Sequence, residues 1–221
     1  MGTQILNKLI KNKLLVVEFI LLCICLPSVI ITYRLAPYMF TFLWSASIYC
    51  WLVLRFKYHD HLKELWNWRA VTWANMQPIL IRFVIACLCM FAFTYFYDPE
   101  KLFNIIRNRP QIIPYLLVMY PILSALPQEF IFCSFFFKRY HPFFTSERSK
   151  IIASAIVFAF AHVLFINWVA PALSLVAGII FAMTYSKTRS LALVTIEHGL
   201  YGNFLFLVGL GWYFYGGAVG H

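Results

Sequence analysis

The sequence predicts an all-α, multi-pass transmembrane helical bundle, and composition, apolar runs and charge placement each indicate it. Hydrophobic residues make up 62% of the 221 residues and charged residues only 12%, which is too apolar for one water-soluble core. A helix needs roughly 20 apolar residues to cross a bilayer. Several runs of that kind are separated by short basic clusters. We therefore expect a single integral membrane domain over residues 1–221.

The apolar runs predict about seven spans, with about six or eight as alternatives. The first run is too long for the apolar region of a signal peptide, and no small-residue cleavage site follows it, so we expect it to be retained. We expect the polar site among the C-terminal helices. The predicted spans are residues 14–33, 37–54, 79–97, 112–137, 151–168, 171–186 and 190–215.

Two further patterns predict how the chain packs. Residues 56–78 mix apolar, Trp and basic side chains, which is typical of a short helix or lipid-anchoring loop in the headgroup region. The same segment could alternatively serve as a substrate platform. In the sixth run, small side chains recur every four residues and favour close approach of another helix. These are Ala170, Ser174, Gly178 and Ala182.

The basic residues predict the orientation of the chain. The 18 Lys and Arg lie at the ends of spans instead of forming one basic face, which argues against nucleic acid as a partner. With a cytoplasmic N-terminus, about thirteen basic residues lie on the cytoplasmic side and about four on the other, as the positive-inside rule favours. The thirteen include Lys8, Lys11 and Lys13, which precede the first span.

Ionisable side chains at bilayer depth are costly, so they indicate where function lies. Counting at about 1.5 Å per residue from the nearest basic cluster places Glu129 and His198 roughly 13 Å deep, His162 roughly 18 Å and Asn203 roughly 21 Å. A lone membrane histidine or glutamate has a structural explanation, but a shared depth on three spans predicts one site. The other polar groups in the spans are Glu18, Arg82, Gln128, Asn167 and Glu197.

These residue types predict hydrolysis at membrane depth. A glutamate and a histidine away from bulk water can act on a bound water as general base, with a carbonyl as the attacked group. A second histidine and an asparagine can donate hydrogen bonds to the oxyanion that develops. Alternatively, Glu129, His162 and His198 could hold Zn²⁺, although the chain has no His-Glu-x-x-His helix. The ionisable residues of the spans could also form a proton or ion relay of a transporter.

Two stretches resemble motifs of the CAAX prenyl protease 2-like or bacteriocin-processing family of intramembrane proteases, also called CPBP or Abi. That family carries Glu-Glu-x-x-x-Arg and Phe-x-x-x-His motifs on separate transmembrane helices. "FAFAH", from Phe158 to His162, matches the second motif. "QEFIFC" keeps Glu129, but Gln128 replaces the first Glu and Cys133 stands where Arg is expected.

The third family motif, His-x-x-x-Asn, resembles "EHGLYGN". His198 is present, but Asn203 follows five residues later instead of four. Five residues turn a regular helix by about 500°, which leaves the asparagine about 140° away from the histidine. Gly199 and Gly202 therefore predict a kink or a π-bulge that brings Asn203 back to the side of His198.

The resemblance covers about residues 114–216 and implies a protease-like core there, acting on a peptide or protein substrate at the bilayer. It implies an intramembrane protease of the glutamic or metallo type, with Zn²⁺ as the alternative cofactor, and we expect the bacterial cytoplasmic membrane. By position, Glu129 and His162 activate water, while His198 and Asn203 support the oxyanion. Residues expected to bind substrate or support the site are Gln128, Phe158, Cys133 and Glu197.

The departures from the family motifs leave a second interpretation open. Gln128 in place of the first Glu favours a catalytically inactive member that acts as a membrane binding, immunity or scaffold protein. Cys133 removes a charge that would hold a carboxylate, such as the carboxylate end of a substrate.

Overall fold

The computed structural model describes residues 13–215, and in this part of the chain all regular structure is helical, without strands. Seven of the described helices are long and apolar enough to cross a membrane, which confirms the predicted fold class. The predicted basic residues Lys8 and Lys11 lie outside the described residues. The helices are span 1 (Lys13–Thr32), span 2 (Ala36–Lys57), span 3 (Trp73–Tyr97), span 4 (Pro110–Arg139), span 5 (Glu147–Phe165), span 6 (Val169–Thr188) and span 7 (Leu191–Val208).

Several spans change helix type along their length. Spans 3, 6 and 7 are α-helical from end to end. The π-helical segments are Leu21–Cys25 in span 1 and Pro121–Ala125 and Phe130–Phe135 in span 4. Segments of 3₁₀ helix are Ala36–Tyr38, Trp68–Ala70, Pro99–Lys101, Pro110–Ile112, His141–Phe143, His162–Phe165 and Leu210–Phe214. Short α-helices at His59–Lys63 and Asn104–Asn108 lie between spans.

Span 3 begins earlier than the sequence predicts. Its helix starts at Trp73 instead of residue 79, with Thr72 in an extended conformation just before it. The prediction placed the boundary at Pro78, but this proline lies inside the helix. The rest of the segment predicted to lie in the headgroup region contains the short α-helix His59–Lys63 and the 3₁₀ segment Trp68–Ala70. The indoles of Trp66 and Trp68 are exposed and stack 5.7 Å apart.

Spans 5 and 6 pack closely through the predicted small residues. Ala170, Ser174, Gly178 and Ala182 are all buried. A Cβ atom on Gly178 would lie 3.1 Å from the Cα atom of Ala155 in span 5. The predicted role of this face in helix packing is therefore confirmed.

The backbone ladder of span 4 is interrupted at Pro121. Proline has no N–H, so the carbonyl four residues before it loses its usual helical partner. In span 4 that carbonyl belongs to Leu117. The side-chain Nδ2 of Asn203, in span 7, donates to it at 3.2 Å. Asn203 therefore supplies the hydrogen bond that Pro121 removes.

Side chains of other spans also bond to two further carbonyls of span 4. Pro127 leaves the carbonyl of Leu123 without its usual partner, and the indole Nε1 of Trp44 in span 2 donates to it at 3.1 Å. In the second π segment, the hydroxyl of Ser154 in span 5 donates to the carbonyl of Phe132 at 2.7 Å. Spans 2, 5 and 7 therefore all bond to the irregular backbone of span 4.

Two ion pairs connect spans away from this backbone. Arg139 at the end of span 4 donates to both carboxylate oxygens of Glu18 in span 1, at 2.7 and 2.6 Å. Arg82 of span 3 donates to Glu197 of span 7 at 2.8 Å and to Thr184 of span 6 at 3.0 Å. The two ion pairs have no residue in common. Among the described residues, these groups are arranged as separate links between helices.

Replacing Arg82 by Met is expected to destabilise the protein, because the fully buried Glu197 loses its partner. Breaking a buried pair by removing one partner costs about 3 kcal/mol or more. The double variant Arg82→Met/Glu197→Gln removes the unpaired charge and should recover part of that loss. The measurement is the free energy of unfolding in detergent micelles, with the exposed Arg69→Met as control. Equal destabilisation in the single and double variants would contradict this account.

His61 is expected to make stability depend on pH. This residue, between spans 2 and 3, lies 3.0 Å from the Ser134 hydroxyl. Burial and the nearby positive charges of Lys138 and Arg189 lower the pKa of His61 from 6.5 to about 4. Between these values the unfolded chain binds more protons, so stability should rise with pH and be lost as pH falls towards 4.

The measurement for His61 is an NMR titration of its imidazole in micelles, together with thermal unfolding of wild type and His61→Gln across this pH range. The exposed His59→Gln variant is the control. A His61 midpoint close to 6.5 would contradict the expected burial.

Candidate active site

Glu129 is held in the interior of the bundle by the irregular geometry of span 4. It ends a short α-helical segment, Leu126–Glu129, that lies between the two π segments of the span. Short π segments inside α-helices are rare and are found frequently at functional sites. The Glu129 side chain is only 1% exposed. Its Oε1 atom accepts a hydrogen bond from Nδ1 of His198 at 2.7 Å.

His198 is bonded at both ring nitrogens. Nδ1 faces Glu129, and Nε2 lies 2.9 Å from the hydroxyl of Tyr120. The imidazole also stacks on the ring of Phe181, with centroids 4.5 Å apart and planes 18° apart. Side chains from spans 4 and 6 therefore fix the orientation of a histidine on span 7. The sequence did not indicate Tyr120, although its hydroxyl is a polar group inside the same apolar run as Glu129.

Span 7 remains a regular α-helix at its two glycines, so the predicted kink or π-bulge is wrong. The glycines instead give space to span 4. A Cβ atom on Gly202 would overlap the ring of Tyr120, and one on Gly199 would lie 3.1 Å from Pro121. Of the three π segments in residues 13–215, two occur in span 4, where Pro121 interrupts the ladder. Asn203 consequently bonds to Leu117 and is not turned towards the side of His198.

His162 lies where span 5 changes from α to 3₁₀ helix. Its backbone N–H bonds to the carbonyls of Ala159 and Phe160 instead of that of Phe158, the partner in a regular α-helix. The imidazole Nδ1 lies 2.7 Å from that carbonyl oxygen. Because a carbonyl only accepts, Nδ1 carries the hydrogen in this bond. In the neutral imidazole, Nε2 therefore has a free lone pair and can accept a proton.

One aromatic ring contacts both histidines. The ring of Phe158 lies 4.6 Å from that of His162 and 5.9 Å from that of His198. Phe132 and Phe181 pack on the same phenylalanine at 5.2 and 6.2 Å. Phe158 thus packs against both imidazoles as part of an aromatic cluster.

The histidines border a large, partly open cavity between the spans. Its volume is about 1520 Å³, and most of its lining is apolar. Gln128, Phe158, His162 and His198 are among the lining residues, as is Tyr120. Glu129 and Asn203 are not. Both histidines therefore border the cavity, whereas the Glu129 carboxylate bonds to His198 and does not border it.

The remaining predicted site residues have other partners. Gln128 donates from Nε2 to the hydroxyl of Ser124 at 2.8 Å. Glu197 is fully buried in its ion pair with Arg82 and does not line the cavity, although Arg82 does. Cys133 is buried and, like the other described cysteines, forms no disulfide.

The arrangement of donor atoms does not fit a zinc ion. Among residues 13–215, no three His, Cys, Asp or Glu side chains are grouped as metal ligands. Both nitrogens of His198 are already bonded, to Glu129 and Tyr120, and Nδ1 of His162 is bonded to a carbonyl. Zinc sites in proteins need at least three protein ligands. Glu129, His162 and His198 as placed here therefore do not form the predicted metal site.

Fold and site together define a multi-pass integral membrane protein with a histidine-containing polar site beside an apolar cavity. A family model described as type II CAAX prenyl endopeptidase Rce1-like matches residues 110–214, just under half of the 221 residues. No curated protein and no solved structure matches this chain.

The family match confirms the resemblance to the CAAX protease family over residues 110–214. The matched segment runs from span 4 through span 7 to the 3₁₀ segment Leu210–Phe214. It therefore includes every residue of the candidate site. The match supports a membrane endopeptidase of the CAAX protease type, and a protein or peptide as substrate.

Asn203→Ala is expected to lower the free energy of unfolding by about 1 kcal/mol, because the carbonyl of Leu117 loses its donor. In a Pro121→Ala background, the N–H of residue 121 can bond to Leu117, so the same substitution should cost less. A double-mutant cycle in micelles measures this coupling. If Asn203→Ala costs the same in both backgrounds, the bond to Leu117 does not explain the position of Asn203.

Proposed function

We propose that this protein is an intramembrane endopeptidase that hydrolyses a peptide bond of a membrane-associated or cytoplasmic-side peptide or protein. One observation carries the proposal: two imidazoles with assigned partners face the same apolar cavity at bilayer depth. His162 offers a free Nε2 acceptor, and His198 is backed by the buried carboxylate of Glu129. The family match to type II CAAX prenyl endopeptidases supports the same class of reaction.

His162 is the proposed general base. Its Nδ1–H is held by the carbonyl of Phe158, so Nε2 can take a proton from a water in the cavity. The resulting hydroxide attacks the carbonyl carbon of the substrate. A positioned general base contributes typically about 10²- to 10⁴-fold in rate. The same nitrogen can then return the proton to the leaving amine.

Glu129 acts through His198 in this proposal. The sequence suggested that Glu129 and His162 share the water, but the Glu129 carboxylate is bonded to Nδ1 of His198 and does not line the cavity. A buried carboxylate at Nδ1 fixes the imidazole ring and balances a positive charge on it. It thereby allows a positively charged His198 to stabilise, without direct contact, negative charge that develops on the substrate carbonyl oxygen. Glu129 is therefore a positioning residue.

The cavity favours a substrate with an apolar part. Small-molecule pockets typically occupy about 300–1,000 Å³, and this cavity is larger, at about 1520 Å³. It has room for a short extended peptide together with a hydrocarbon chain. The type II CAAX prenyl endopeptidase description of the matching family is consistent with a lipid-modified peptide. We also propose that the N-terminus is cytoplasmic, on the basis of the basic residues, and that the bacterial cytoplasmic membrane is the location.

A second candidate is a non-catalytic family member that binds peptides or membrane proteins. Gln128 in place of the first motif glutamate and the engagement of Asn203 with Leu117 favour it. In that case the cavity would bind a substrate-like peptide without cleaving it.

The test is cleavage of fluorogenic C-terminal peptides, with and without a farnesyl thioether, by the full chain reconstituted in liposomes. Glu129→Gln, His162→Ala and His198→Ala are each expected to lower kcat by about 10²-fold or more. The physical reason is that His162→Ala removes the general base. Glu129→Gln and His198→Ala each remove one member of the charged pair that stabilises negative charge on the substrate carbonyl oxygen.

The controls for this experiment are Glu64→Gln and His59→Ala, which change exposed residues of the same types outside the spans. Thermal unfolding of every variant checks that the fold is kept. Full activity in His162→Ala would rule out the proposed base. Binding of the peptides without any cleavage by the wild-type protein would instead support the non-catalytic candidate.

A further inference from the structure

The geometry points to Tyr120 as the oxyanion donor of this site, a catalytic role that the motif positions do not include. This inference rests on the proposed hydrolysis and specifies which group stabilises its intermediate. The Tyr120 hydroxyl lies 2.9 Å from Nε2 of His198, and Tyr120 lines the cavity. It therefore connects the Glu129–His198 pair to the space where a substrate carbonyl would lie.

The position of Tyr120 is determined by its neighbours on span 7. The ring occupies the space left by Gly202, and it packs on Phe206 with centroids 5.3 Å apart. Tyr120 is also the last residue before Pro121, where the first π segment of span 4 begins. Because packing and an irregular helix segment both fix the ring, the hydroxyl remains within hydrogen-bond reach of His198. A fixed donor of this kind costs little reorganisation when charge develops.

The hydrogen bonds around His198 allow the hydroxyl to act as a donor. When His198 carries hydrogens on both nitrogens, Nδ1–H donates to Glu129 and Nε2–H donates to the Tyr120 oxygen. The hydroxyl hydrogen of Tyr120 is then free to point into the cavity. The Glu129 carboxylate balances the positive imidazole, so the buried pair carries no net charge. A donor that itself accepts from a cation is strengthened, because hydrogen bonds in a chain polarise one another.

Asn203, which the motif pattern suggests for this role, is already engaged elsewhere. Its Nδ2 donates to the carbonyl of Leu117, and Asn203 does not border the cavity. Tyr120 is on the cavity side and bonds directly to His198. The extra residue between His198 and Asn203 thus accompanies a change of donor, from an amide on span 7 to a phenol on span 4.

The complete step balances without any further reactant. Water transfers a proton to Nε2 of His162, and its oxygen forms a bond to the carbonyl carbon. The carbonyl electron pair moves to the oxygen, where the Tyr120 hydroxyl donates to the oxyanion. When the carbonyl re-forms, the carbon–nitrogen bond breaks and the amine nitrogen takes the proton from His162. The products are a carboxylic acid and an amine.

The first experiment compares cleavage by wild type, Tyr120→Phe and Tyr95→Phe in liposomes. Tyr120→Phe keeps the ring and is expected to lower kcat about 100-fold, because removal of one oxyanion donor typically costs 10²- to 10³-fold. KM should stay within about twofold, since the hydroxyl acts on the intermediate more than on the bound substrate. Tyr95 is exposed on span 3 and should give wild-type values.

A second variant reaches the same hydroxyl by another route. Gly202→Ala places a methyl group where the Tyr120 ring lies, which should displace the ring from His198. It should lower kcat by a similar factor, and the double variant Gly202→Ala/Tyr120→Phe should lose little more. If wild type cleaves the peptide and the kcat of Tyr120→Phe lies within about threefold of the wild-type kcat, the role of Tyr120 is overturned. The proposed function is then left intact.

A binding measurement keeps the inference testable if no peptide is cleaved. A peptide phosphinate carries the tetrahedral, anionic shape of the intermediate, and the amide of the same sequence does not. Wild type should bind the phosphinate more tightly than the amide. Tyr120→Phe should bind the phosphinate about tenfold or more weakly than wild type does, with the same affinity for the amide. Equal phosphinate affinity in both proteins overturns the inference. Absence of cleavage by wild type contradicts the proposed function separately.

Discussion

The structure depends on the requirement that backbone polar groups inside a bilayer be hydrogen bonded within the protein. Span 4 meets this requirement in an unusual way, because its own ladder is broken by Pro121 and Pro127 and by two π segments. Side chains of three other spans bond to carbonyls of this backbone. The irregular helix therefore becomes the element around which the others are arranged. Its irregularity also places Glu129 inside the bundle.

The buried charged groups are likewise paired within the protein. Three carboxylates lie in the interior of the spans, and each is paired with a basic side chain of a different span: Glu18 with Arg139, Glu197 with Arg82, and Glu129 with His198. Two of the pairs use arginine, which is always charged, and serve to connect helices. The third uses histidine, which can gain and lose a proton. Arg82 and His198 both line the cavity, but only the imidazole readily exchanges a proton, and chemistry is therefore proposed at the Glu129–His198 pair.

The departures from the family motifs acquire physical explanations in the bundle. The additional residue before Asn203 rotates its amide away from His198, and the amide satisfies a carbonyl that Pro121 has freed. The glycines that suggested a bent span 7 instead allow span 4 to approach it, with Tyr120 against Gly202. An interruption in one helix is thus compensated by the neighbouring helix. The replacement of the motif arginine by Cys133 leaves a buried thiol whose role the contacts do not explain.

The sequence by itself determined the helical membrane fold, the approximate spans, the small-residue face of span 6 and the common depth of the two histidines and Glu129. Those features follow from composition and from the fixed rise of a helix, which are local properties. The tertiary structure alone decided that Glu129 pairs with His198, that Asn203 bonds to Leu117 and that Tyr120 enters the site. These contacts depend on the rotation of each helix about its axis. Proline and π segments in one span change that rotation, and spacing along a regular helix does not reveal it.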